Sequence, residues 1–522
     1  MTLSLKRRPE LKKADSRATL EKRSMKLSNL LSGVEVARIT GLADAEIHSV
    51  AYDSRKAAVN SLFFALHGEK LDGTKFVNDA AARGAVAIAS AAPRPSNLAA
   101  NVMWIELAAG SERRSLARVS ANWFNHPAQS LKLVGVTGTN GKTTTTFLVD
   151  SILRAAGHTT GLIGTTGYRT PKESRSANNT TPESFDLQQM FAEVRDAGGA
   201  YVTLEASSHA LAMERLFGCH FAAAIFTNLT RDHLDYHKTF DEYFAAKRQL
   251  FEGTGAGAPE VAVINSDDPY GAQLAGVARR TLTYGFSDAA DLRPKRLSLS
   301  FQGLAFTAET PAGNIEIRSP LVGRINVYNI LGAIGAGIGL NIPAVKIAEG
   351  IASLDLVPGR FQCIDEGQPF LVVVDYAHTD DALRNLIATS RELGPSSRII
   401  TVFGAGGERD RTKRPLMGEA AGSLSDVVVL TSDNPRGEDP LRIINDVVVG
   451  LQRVNANYRI EPDREQALAA AIEEARPGDI VLLAGKGHET YQVLANGTIE
   501  FDDREKAREI LRRKGYSKLV VK

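Results

Sequence analysis

The chain has 522 residues, of which 43% are hydrophobic and 23% charged, and its formal net charge is +2. This composition excludes a disordered or fibrous chain, and the near balance of 62 basic and 60 acidic residues gives no support for nucleic-acid binding. The two cysteines, Cys219 and Cys363, cannot form a disulfide framework, and we expect both to be buried free thiols.

The first 26 residues form a basic segment with nine Lys or Arg and three acidic residues. No apolar stretch typical of a signal peptide follows them. The longest weakly apolar run, 330–340, has eleven residues, whereas a membrane-spanning helix needs about 20. We therefore predict a cytoplasmic protein with a solvated N-terminal extension, 1–26, and no transmembrane segment.

From residue 131 onward, short apolar runs alternate with longer helical stretches. The predicted strands are 133–136, 202–204, 224–226, 261–264, 370–374, 399–403, 427–430 and 480–483. Runs without a polar face are typical of buried parallel strands that helices cover on both sides, so the predicted fold class is α/β. In such sheets, ligand-binding groups gather where the strands end.

Two chain breaks divide the sequence. One is Asn125-His126-Pro127, before the first strand of the central block, and the other is Val357-Pro358-Gly359, after a helical stretch over 326–354. We therefore predict domains at 27–130, 131–356 and 357–522. Polar and apolar residues alternate within 285–320, which predicts a small antiparallel hairpin there.

A phosphate-binding loop is predicted after the strand at 133–136, with a helix that begins at Lys142. The loop and the first helical residues are Gly138, Thr139, Asn140, Gly141, Lys142, Thr143 and Thr144. Glycine lets successive N–H groups point at phosphate oxygens, the Lys142 ammonium neutralises phosphate charge, and the Thr143 hydroxyl can bind Mg²⁺. The motif is a short form of the usual loop, since Val136 stands where a first glycine is common. These features predict nucleotide binding.

Glu205 and His233 are candidate metal ligands. Each follows a predicted buried strand, and a carboxylate beside a phosphate loop is a suitable Mg²⁺ ligand. The alternative is that both residues cap strand ends, and their spacing does not decide between the two. A zinc site is excluded, because no Cys or His pairs have the required spacing.

Together, these motifs resemble the Mur ligases, ATP-dependent enzymes that form amide bonds in peptidoglycan synthesis. The resemblance rests on the short phosphate loop, on Glu205-Ala-Ser-Ser-His209, on 228–237 and on Asp375-Tyr376-Ala377-His378. It implies a smaller N-terminal α/β domain for a UDP group, a central P-loop ATPase with a mostly parallel sheet, and a C-terminal Rossmann-like domain for an amino acid. It also implies that a D-Glu carboxylate attacks the γ-phosphate of ATP and that an amine then attacks the acyl phosphate.

The same resemblance implies roles for residues at the ATP site. The ATP-binding set is Gly138 to Thr144, Asn326, Asn329, Arg360 and Asp375, and the catalytic set is Lys142, Glu205, His233 and Lys247. Thr143 and Glu205 would bind a first Mg²⁺; His233 and Lys247, the lysine carboxylated to a carbamate, would bind a second. Without the family, Lys247 would be interpreted as a surface lysine of a helix.

Residues for a UDP-MurNAc-L-Ala-D-Glu substrate follow in the same way. They are Tyr52, Ser54, Asn179, Thr180, Thr181, Ser207, Met213 and Arg215. The chain departs from the family pattern at two places. Met213 occupies a position where glutamine is common, and Glu69-Lys70-Leu71 replaces a His-Gln pair.

The segment at 433–436 is similar to the signature of the family branch that adds meso-diaminopimelate. The implied amino-acid set is Arg409, Asp433, Asn434, Pro435, Arg436, Gly485 and Glu489. Diaminopimelate has one carboxylate more than lysine, and a guanidinium binds a carboxylate through two parallel hydrogen bonds. We therefore expect a monomeric ligase with ATP, UDP-MurNAc-L-Ala-D-Glu and meso-diaminopimelate as partners and Mg²⁺ as cofactor.

Three alternatives remain open from the sequence. The chain could use L-lysine in the same reaction, or it could be a ligase like folylpolyglutamate synthase. It could also be a nucleotide-gated binding module without ligase activity, although such a module would have no reason to keep Lys142, Glu205, His233 and Lys247.

Overall fold

The computed structural model describes residues 23–41, 44–68 and 71–518. The predicted extension falls almost entirely outside the described residues, as do Glu69 and Lys70. The described chain forms two compact units, and His126 is the first residue of the second unit.

The first unit is built on a five-stranded sheet. Its elements are β1 (Met25–Lys26), α1 (Leu27–Leu30), β2 (Val36–Thr40), β3 (Glu46–Ile47), β4 (Ser49–Ala51), β5 (Ser61–Phe64), α2 (Val77–Ala82), β6 (Ala85–Ser90), β7 (Met103–Leu107) and α3 (Glu112–Trp123). The strand order is β2-β7-β6-β5-β4, in which only β2 is antiparallel to its neighbour. Strand β1 pairs with β3, so Met25 and Lys26 belong to this unit rather than to a solvated extension.

The second unit begins with an eight-stranded sheet and its helices. These elements are β8 (Lys132–Thr137), α4 (Lys142–Ala155), β9 (Thr160–Gly164), β10 (Gly167–Arg169), β11 (Ser174–Arg175), α5 (Ser184–Asp196), β12 (Tyr201–Glu205), α6 (Ser208–Ala212), β13 (Phe221–Phe226), α7 (Leu234–His237), α8 (Phe240–Glu252), β14 (Val261–Asn265), β15 (Thr281–Tyr284), β16 (Arg293–Ser300), β17 (Gly303–Glu309), β18 (Ile315–Ser319), α9 (Arg324–Gly339) and α10 (Ala344–Ala352). The strand order of the eight-stranded sheet is β11-β10-β9-β12-β8-β13-β14-β15, in which β10 is antiparallel to both of its neighbours and all other pairs are parallel. Strands β16 to β18 form a separate sheet.

Two predictions for this part of the chain need correction. The segment predicted as a hairpin forms three antiparallel strands, β16, β17 and β18, because β17 pairs along both edges. The helical stretch over 326–354 is two helices. Asn341, in the left-handed region at φ 60°, interrupts it, and Pro343 begins the second helix as its N-cap.

A second, six-stranded sheet forms the rest of the second unit, which we call the C-terminal lobe (357–518). Its elements are β19 (Gln362–Ile364), β20 (Leu371–Asp375), α11 (Asp380–Leu393), β21 (Ile399–Phe403), α12 (Lys413–Leu424), β22 (Val427–Leu430), α13 (Pro440–Arg453), β23 (Tyr458–Ile460), α14 (Arg464–Glu474), β24 (Ile480–Ala484), β25 (Tyr491–Leu494), β26 (Gly497–Glu500) and α15 (Asp503–Arg513). The order is β19-β20-β24-β21-β22-β23, with only β19 antiparallel. Strands β25 and β26 form a separate hairpin.

Helices cover both faces of the eight-stranded sheet. Leu133 and Val134, neighbours on β8, belong to different apolar cores, one packed under α5 and α8 and the other under α4 and α9. This arrangement confirms the predicted α/β class and all eight predicted strands. Cys219 is buried as expected, but Cys363 is exposed, because it lies on the edge strand β19. Among the described residues, no helix is both long and apolar enough to cross a membrane.

Candidate active site

The predicted phosphate loop connects β8 to α4, and two of its positions admit only glycine. Gly138 has φ 146°, and a Cβ there would lie 1.8 Å from Oγ1 of Thr227. Gly141, at φ 86°, is the N-cap of α4, and a Cβ there would lie 2.4 Å from Oδ1 of Asn329. The loop therefore combines positive φ angles with close approach of neighbouring chains, as a backbone cradle for phosphate requires.

Two lysines, the partly buried Lys142 and the buried Lys247, donate to the same atom of this loop. Nζ of Lys142 and Nζ of Lys247 donate to the carbonyl oxygen of Gly138 over 2.9 and 2.8 Å. Burial lowers the pKa of both ammonium groups, and the charge of Lys142 lowers the pKa of Lys247 further. The interpretation of Lys247 as a surface lysine is wrong, because its exposed fraction is 1%. The ammonium group of Lys142 at this position favours an anion such as phosphate beside the loop.

Glu205, at the end of β12, lies beside the first turn of α4. Its Oε1 accepts hydrogen bonds from Oγ1 of Thr143 at 3.0 Å and from the backbone N–H of Thr165 at 2.8 Å. Its Oε2 accepts from Oγ1 of Thr165 at 3.1 Å. Nη2 of Arg360, from the C-terminal lobe, donates to the same Thr143 hydroxyl at 3.0 Å.

The oxygen atoms of Thr143 and Glu205 suit Mg²⁺, a hard cation. Within the described part of the chain, no group of three or more His, Cys, Asp or Glu side chains could hold a metal ion. A single carboxylate is nevertheless typical of Mg²⁺ sites in which nucleotide phosphates supply further oxygen ligands. The residues present therefore fit Mg²⁺ bound together with a nucleotide.

His233 and Lys247 both lie close to the ring of Tyr243. The His233 and Tyr243 ring centroids are 6.1 Å apart, and Nζ of Lys247 is 4.3 Å from the Tyr243 centroid. Burial lowers the pKa of His233 to about 3, against the opposing effect of Asp232. A neutral imidazole has a free nitrogen lone pair, the form that binds metals. As an ammonium group Lys247 cannot ligate a cation, so a second Mg²⁺ there requires the carbamate.

One cleft in the second unit collects the predicted nucleotide residues. All of the ATP-binding set except Gly138 line it, together with Glu205, Ser207, Thr180, His233 and Lys247. On α9, Nδ2 of Asn329 donates to Oδ1 of Asn326 at 2.9 Å, so the two asparagines lie on the same face of the helix. Residues of α11 in the C-terminal lobe also line this cleft.

Asp375 lies in this cleft, but its oxygens already have backbone partners. They accept from the N–H groups of Phe361 at 2.7 Å and Ala377 at 2.8 Å, and burial raises the pKa of the carboxyl group. Asp375 therefore holds the chain beside Arg360 in place, in addition to any contact it makes with a nucleotide.

Asp381, which the sequence analysis did not single out, connects the C-terminal lobe to the phosphate loop. Its Oδ2 accepts from Nδ2 of Asn140 at 2.7 Å and from Oγ1 of Thr230 at 3.2 Å. No local pattern signals this contact, since Asn140 and Asp381 are 241 positions apart.

Most residues assigned to the UDP-linked substrate surround Thr181. The Thr181 hydroxyl donates to the carbonyl oxygen of Glu205 at 2.6 Å and lies 3.1 Å from Oγ of Ser207. Nη1 of Arg215 donates to the Thr181 carbonyl at 2.8 Å, and Nη2 lies 3.5 Å from Sδ of Met213. These residues therefore lie together beside Glu205.

The neighbouring assigned residues lie close by. Oγ1 of Thr180 is 3.1 Å from Oγ1 of Thr165, and the Asn179 carbonyl accepts from the Tyr168 hydroxyl. Met213, at a position where glutamine is common in the family, lies next to Arg215.

Tyr52 and Ser54 belong to the first unit. Ser54 begins a short turn of 3-10 helix that Asp53 caps, and Nζ of Lys56 lies 5.9 Å from the Tyr52 ring centroid. The segment Glu69-Lys70-Leu71 departs from the family pattern, and its described residue, Leu71, is exposed.

The residues assigned to the amino acid meet at the carboxyl ends of the strands in the C-terminal lobe. Nδ2 of Asn434 donates to Oε2 of Glu489 at 2.9 Å, and a Cβ on Gly485 would lie 2.7 Å from Oδ2 of Asp433. Nη1 of Arg436 donates to the Gly407 carbonyl at 2.7 Å. Burial lowers the pKa of Arg436, and the positive charge of Arg409 lowers it further. Two neighbouring guanidinium groups therefore lie beside a carboxylate, as recognition of a zwitterion requires.

Pro435 packs closely on the Arg409 loop, because a Cβ on Gly407 would lie 1.9 Å from its carbonyl oxygen. Lys486, which follows Gly485 in this loop, is completely buried. Its Nζ donates to Oδ1 of Asn434 at 3.1 Å and to Oε2 of Glu489 at 3.0 Å, and so ties the two loops together.

The amino-acid loops also reach the nucleotide cleft. Nε2 of His488 lies 3.2 Å from the carbonyl oxygen of Thr165, whose side chain bonds Glu205. The rings of His488 and Tyr376, a cleft residue, are 5.1 Å apart. His488, which directly precedes Glu489, therefore contacts Thr165, which is hydrogen-bonded to Glu205.

Comparison with known proteins gives a consistent result along the chain. Sequence models described as "Mur ligase family, catalytic domain", "Mur ligase middle domain" and "Mur ligase, glutamate ligase domain" match residues 46–119, 136–337 and 359–487. A UDP-N-acetylmuramoyl-L-alanyl-D-glutamate–2,6-diaminopimelate ligase of Solibacter usitatus is 54% identical over 94% of this chain and 99% of its own. The ligase of the same name from Geobacillus thermodenitrificans is 43% identical over 93% of this chain and 99% of its own. A solved structure of a ligase with this name covers 90% of this chain and 96% of its own, at 33% identity and a TM-score of 0.62.

Proposed function

This chain belongs to the Mur ligase family, and we propose that it joins meso-2,6-diaminopimelate to the D-Glu γ-carboxyl of UDP-MurNAc-L-Ala-D-Glu, with ATP as the energy source. The observation that carries the choice of amino acid is the pair Arg409 and Arg436 beside Asn434 and Glu489. The names of the relatives, which share up to 54% identity over nearly the whole chain, support the same substrates.

In the proposed reaction, a D-Glu carboxylate oxygen attacks the γ-phosphorus of ATP and ADP leaves. An amine of diaminopimelate then attacks the acyl carbon, and phosphate leaves with the carboxylate oxygen. Mg²⁺, when bound, neutralises charge on the transferring phosphoryl group. The protein contributes alignment and electrostatic stabilisation, since no protein nucleophile is needed.

The cleft residues take separate parts in this proposal. The phosphate loop and Lys142 hold the β- and γ-phosphates, and Arg360 brings a further positive charge to Thr143 from the C-terminal lobe. Thr143 and Glu205 would hold the first Mg²⁺, and His233 and carboxylated Lys247 the second. The lowered pKa of Lys247 favours a neutral amine, which is the form that reacts with CO₂.

The remaining substrate groups follow from the same assignment. Thr180, Thr181, Ser207 and Arg215 would contact the muramoyl dipeptide near Glu205, and Tyr52 and Ser54 the uridine. The proposal assigns the UDP group to 27–130, ATP to 131–356 and the amino acid to 357–522. We also propose that the protein is a monomer and that it acts in the cytoplasm, where ATP is available.

Each alternative predicts a different result. A lysine-adding enzyme would leave the Arg409–Arg436 pair without the second carboxylate, and a lost hydrogen bond to a charged group costs about 1.5–3 kcal/mol. A folylpolyglutamate-type ligase would use folate substrates, and the relatives at 54% and 43% identity carry the diaminopimelate name. A binding module would bind ATP without substrate-dependent ADP release.

The test is a product assay with purified protein, ATP, Mg²⁺, UDP-MurNAc-L-Ala-D-Glu and a panel of diamino acids. We expect UDP-MurNAc-tripeptide with meso-diaminopimelate, and at least tenfold lower kcat/KM with L-lysine, about 1.4 kcal/mol. Equal or better use of lysine would refute the amino-acid assignment. Absence of product with every amino acid would refute the ligase.

A further inference from the structure

A completely buried ion pair lies behind the amino-acid loops, and the sequence motifs do not include it. Arg464, the first residue of α14, and Asp503, the first residue of α15, both have side chains with 0% exposure. Nε and Nη2 of Arg464 donate to the two carboxylate oxygens of Asp503 at 2.8 and 2.6 Å. This two-pronged geometry fixes the plane of the guanidinium group.

The other N–H groups of Arg464 reach two loops of the amino-acid site. Nη1 donates to the carbonyl oxygen of Ser432 at 3.2 Å, and Nη2 donates to that of Ala484 at 3.0 Å. Ser432 directly precedes Asp433, and Ala484 directly precedes Gly485. The guanidinium is therefore hydrogen-bonded to the peptide groups from which both binding segments begin.

The sheet itself does not join these two loops. Asp433 follows β22 and Gly485 follows β24, and β21 lies between the two strands in the described sheet. The 431–433 segment crosses the end of β21 at Gly404, where a Cβ would lie 2.5 Å from the Thr431 carbonyl and 2.7 Å from the Asp433 N–H. The Arg464 guanidinium, held by Asp503, bridges the loop after β22 and the loop after β24 through the Ser432 and Ala484 carbonyls.

We propose that Arg464, oriented by Asp503, is a positioning residue that sets the spacing of the Asp433–Arg436 and Gly485–Glu489 loops for the distal end of the amino acid. This inference rests on the proposed function. Arg464 lies in the interior and does not contact substrate, so it acts through the loops. A recognition site for a charged head group depends on distances held to within about 0.5 Å, which supporting side chains provide.

The test is steady-state kinetics of Arg464→Lys in the full-length protein, with the KM for each substrate measured separately. Lysine keeps the charge, but one ammonium group cannot reproduce a planar fork that bonds a carboxylate and two carbonyls. We expect the KM for diaminopimelate to rise about tenfold or more. The KM values for ATP and for the UDP-dipeptide should change less than twofold.

The matched control is Arg398→Lys. Arg398 also forms an ion pair in this lobe, with Asp479 at 3.0 Å, but it lies at the opposite, amino ends of β21 and β24. We expect this variant to lower the melting temperature without changing any KM. If Arg464→Lys does not fold, Asp503→Asn replaces it, because the amide keeps the shape and one acceptor oxygen. A smaller rise of the diaminopimelate KM alone is then expected.

Three outcomes would overturn the inference: an unchanged diaminopimelate KM in a folded variant, an equal rise of all three KM values, or the same KM rise in Arg398→Lys. The wild-type reaction tests the proposed function separately. If the wild type forms product with lysine instead, the amino-acid assignment is wrong, and the KM comparison is made with lysine. If it forms product with no amino acid, both the proposed function and the inference are wrong.

Discussion

Arg360 donates a hydrogen bond to Thr143 over 3.0 Å, across 217 positions of the chain. It thereby brings a positive charge from the C-terminal lobe to the helix that follows the phosphate loop. The Thr143 hydroxyl also donates to Glu205, so Arg360 and the carboxylate proposed for the first Mg²⁺ meet at one atom. A charge held there is placed to stabilise the phosphoryl group in transfer.

We therefore predict that Arg360→Met lowers kcat/KM for ATP by about 100-fold, the effect typical of one lost transition-state donor. The measurement is ADP formation with all substrates present. Arg324→Met is the control: Arg324 joins the same two parts of the chain through Glu392, but the pair is exposed and should contribute little. Similar losses in both variants would mean that Arg360 acts only by holding the lobes together.

Lys247→Arg should abolish ligation, because arginine keeps the positive charge and cannot form a carbamate. We expect activity to fall about 100-fold or more while ATP still binds, since the phosphate loop is intact. In ¹³C-bicarbonate, wild-type protein should give a carbamate carbon resonance that the variant lacks. An active Lys247→Arg enzyme would exclude the carbamate from the mechanism.

Arg436→Lys should weaken binding of diaminopimelate specifically. Arg436 and Arg409 both pack on Gly406, and burial together with the like charge of Arg409 lowers the pKa of Arg436. The pair therefore suits an anionic partner such as the distal carboxylate. A charged hydrogen bond contributes about 1.5–3 kcal/mol, so the KM should rise about tenfold or more. The ATP KM should stay unchanged, and Arg442→Lys, an exposed position on α13, should behave as wild type. A matching rise in the ATP KM would show that Arg436 acts through the fold.

Much of this molecule follows from local sequence. Apolar runs such as 399–403 and 427–430 predict their strands because parallel strands between two helical layers must be apolar on both faces. The phosphate loop is predictable for a related reason, since Gly138 and Gly141 occupy backbone positions that other residues cannot take.

The remainder depends on contacts between distant segments. The burial of Lys247 could not be read from its helix, because the surface that covers it includes the Gly138 carbonyl, 109 positions away. Asp381 and Arg464 have no motif of their own, and only the packed chain shows that they bond Asn140, Ser432 and Ala484. The exposure of Cys363 follows from the edge position of β19, which is a property of strand order.

Asp381→Ala should raise the KM for ATP about three- to tenfold, since Asn140 and Thr230 each lose a hydrogen bond, and such bonds contribute about 1 kcal/mol. Asp381→Asn keeps one acceptor oxygen and should have a smaller effect. The melting temperature should not change, because Asn140 and Thr230 are both partly exposed and can bond water instead. An unchanged ATP KM in Asp381→Ala would show that this contact does not contribute to nucleotide binding.

The most direct test of the account is an isotope measurement on the D-Glu carboxyl group. With both γ-carboxyl oxygens labelled with ¹⁸O, attack on ATP followed by amide formation should transfer one ¹⁸O atom into each inorganic phosphate. This transfer should occur only when ATP, UDP-MurNAc-L-Ala-D-Glu and diaminopimelate are all present. Unlabelled phosphate formed together with the amide product would contradict the acyl-phosphate reaction on which the assignment of this cleft depends.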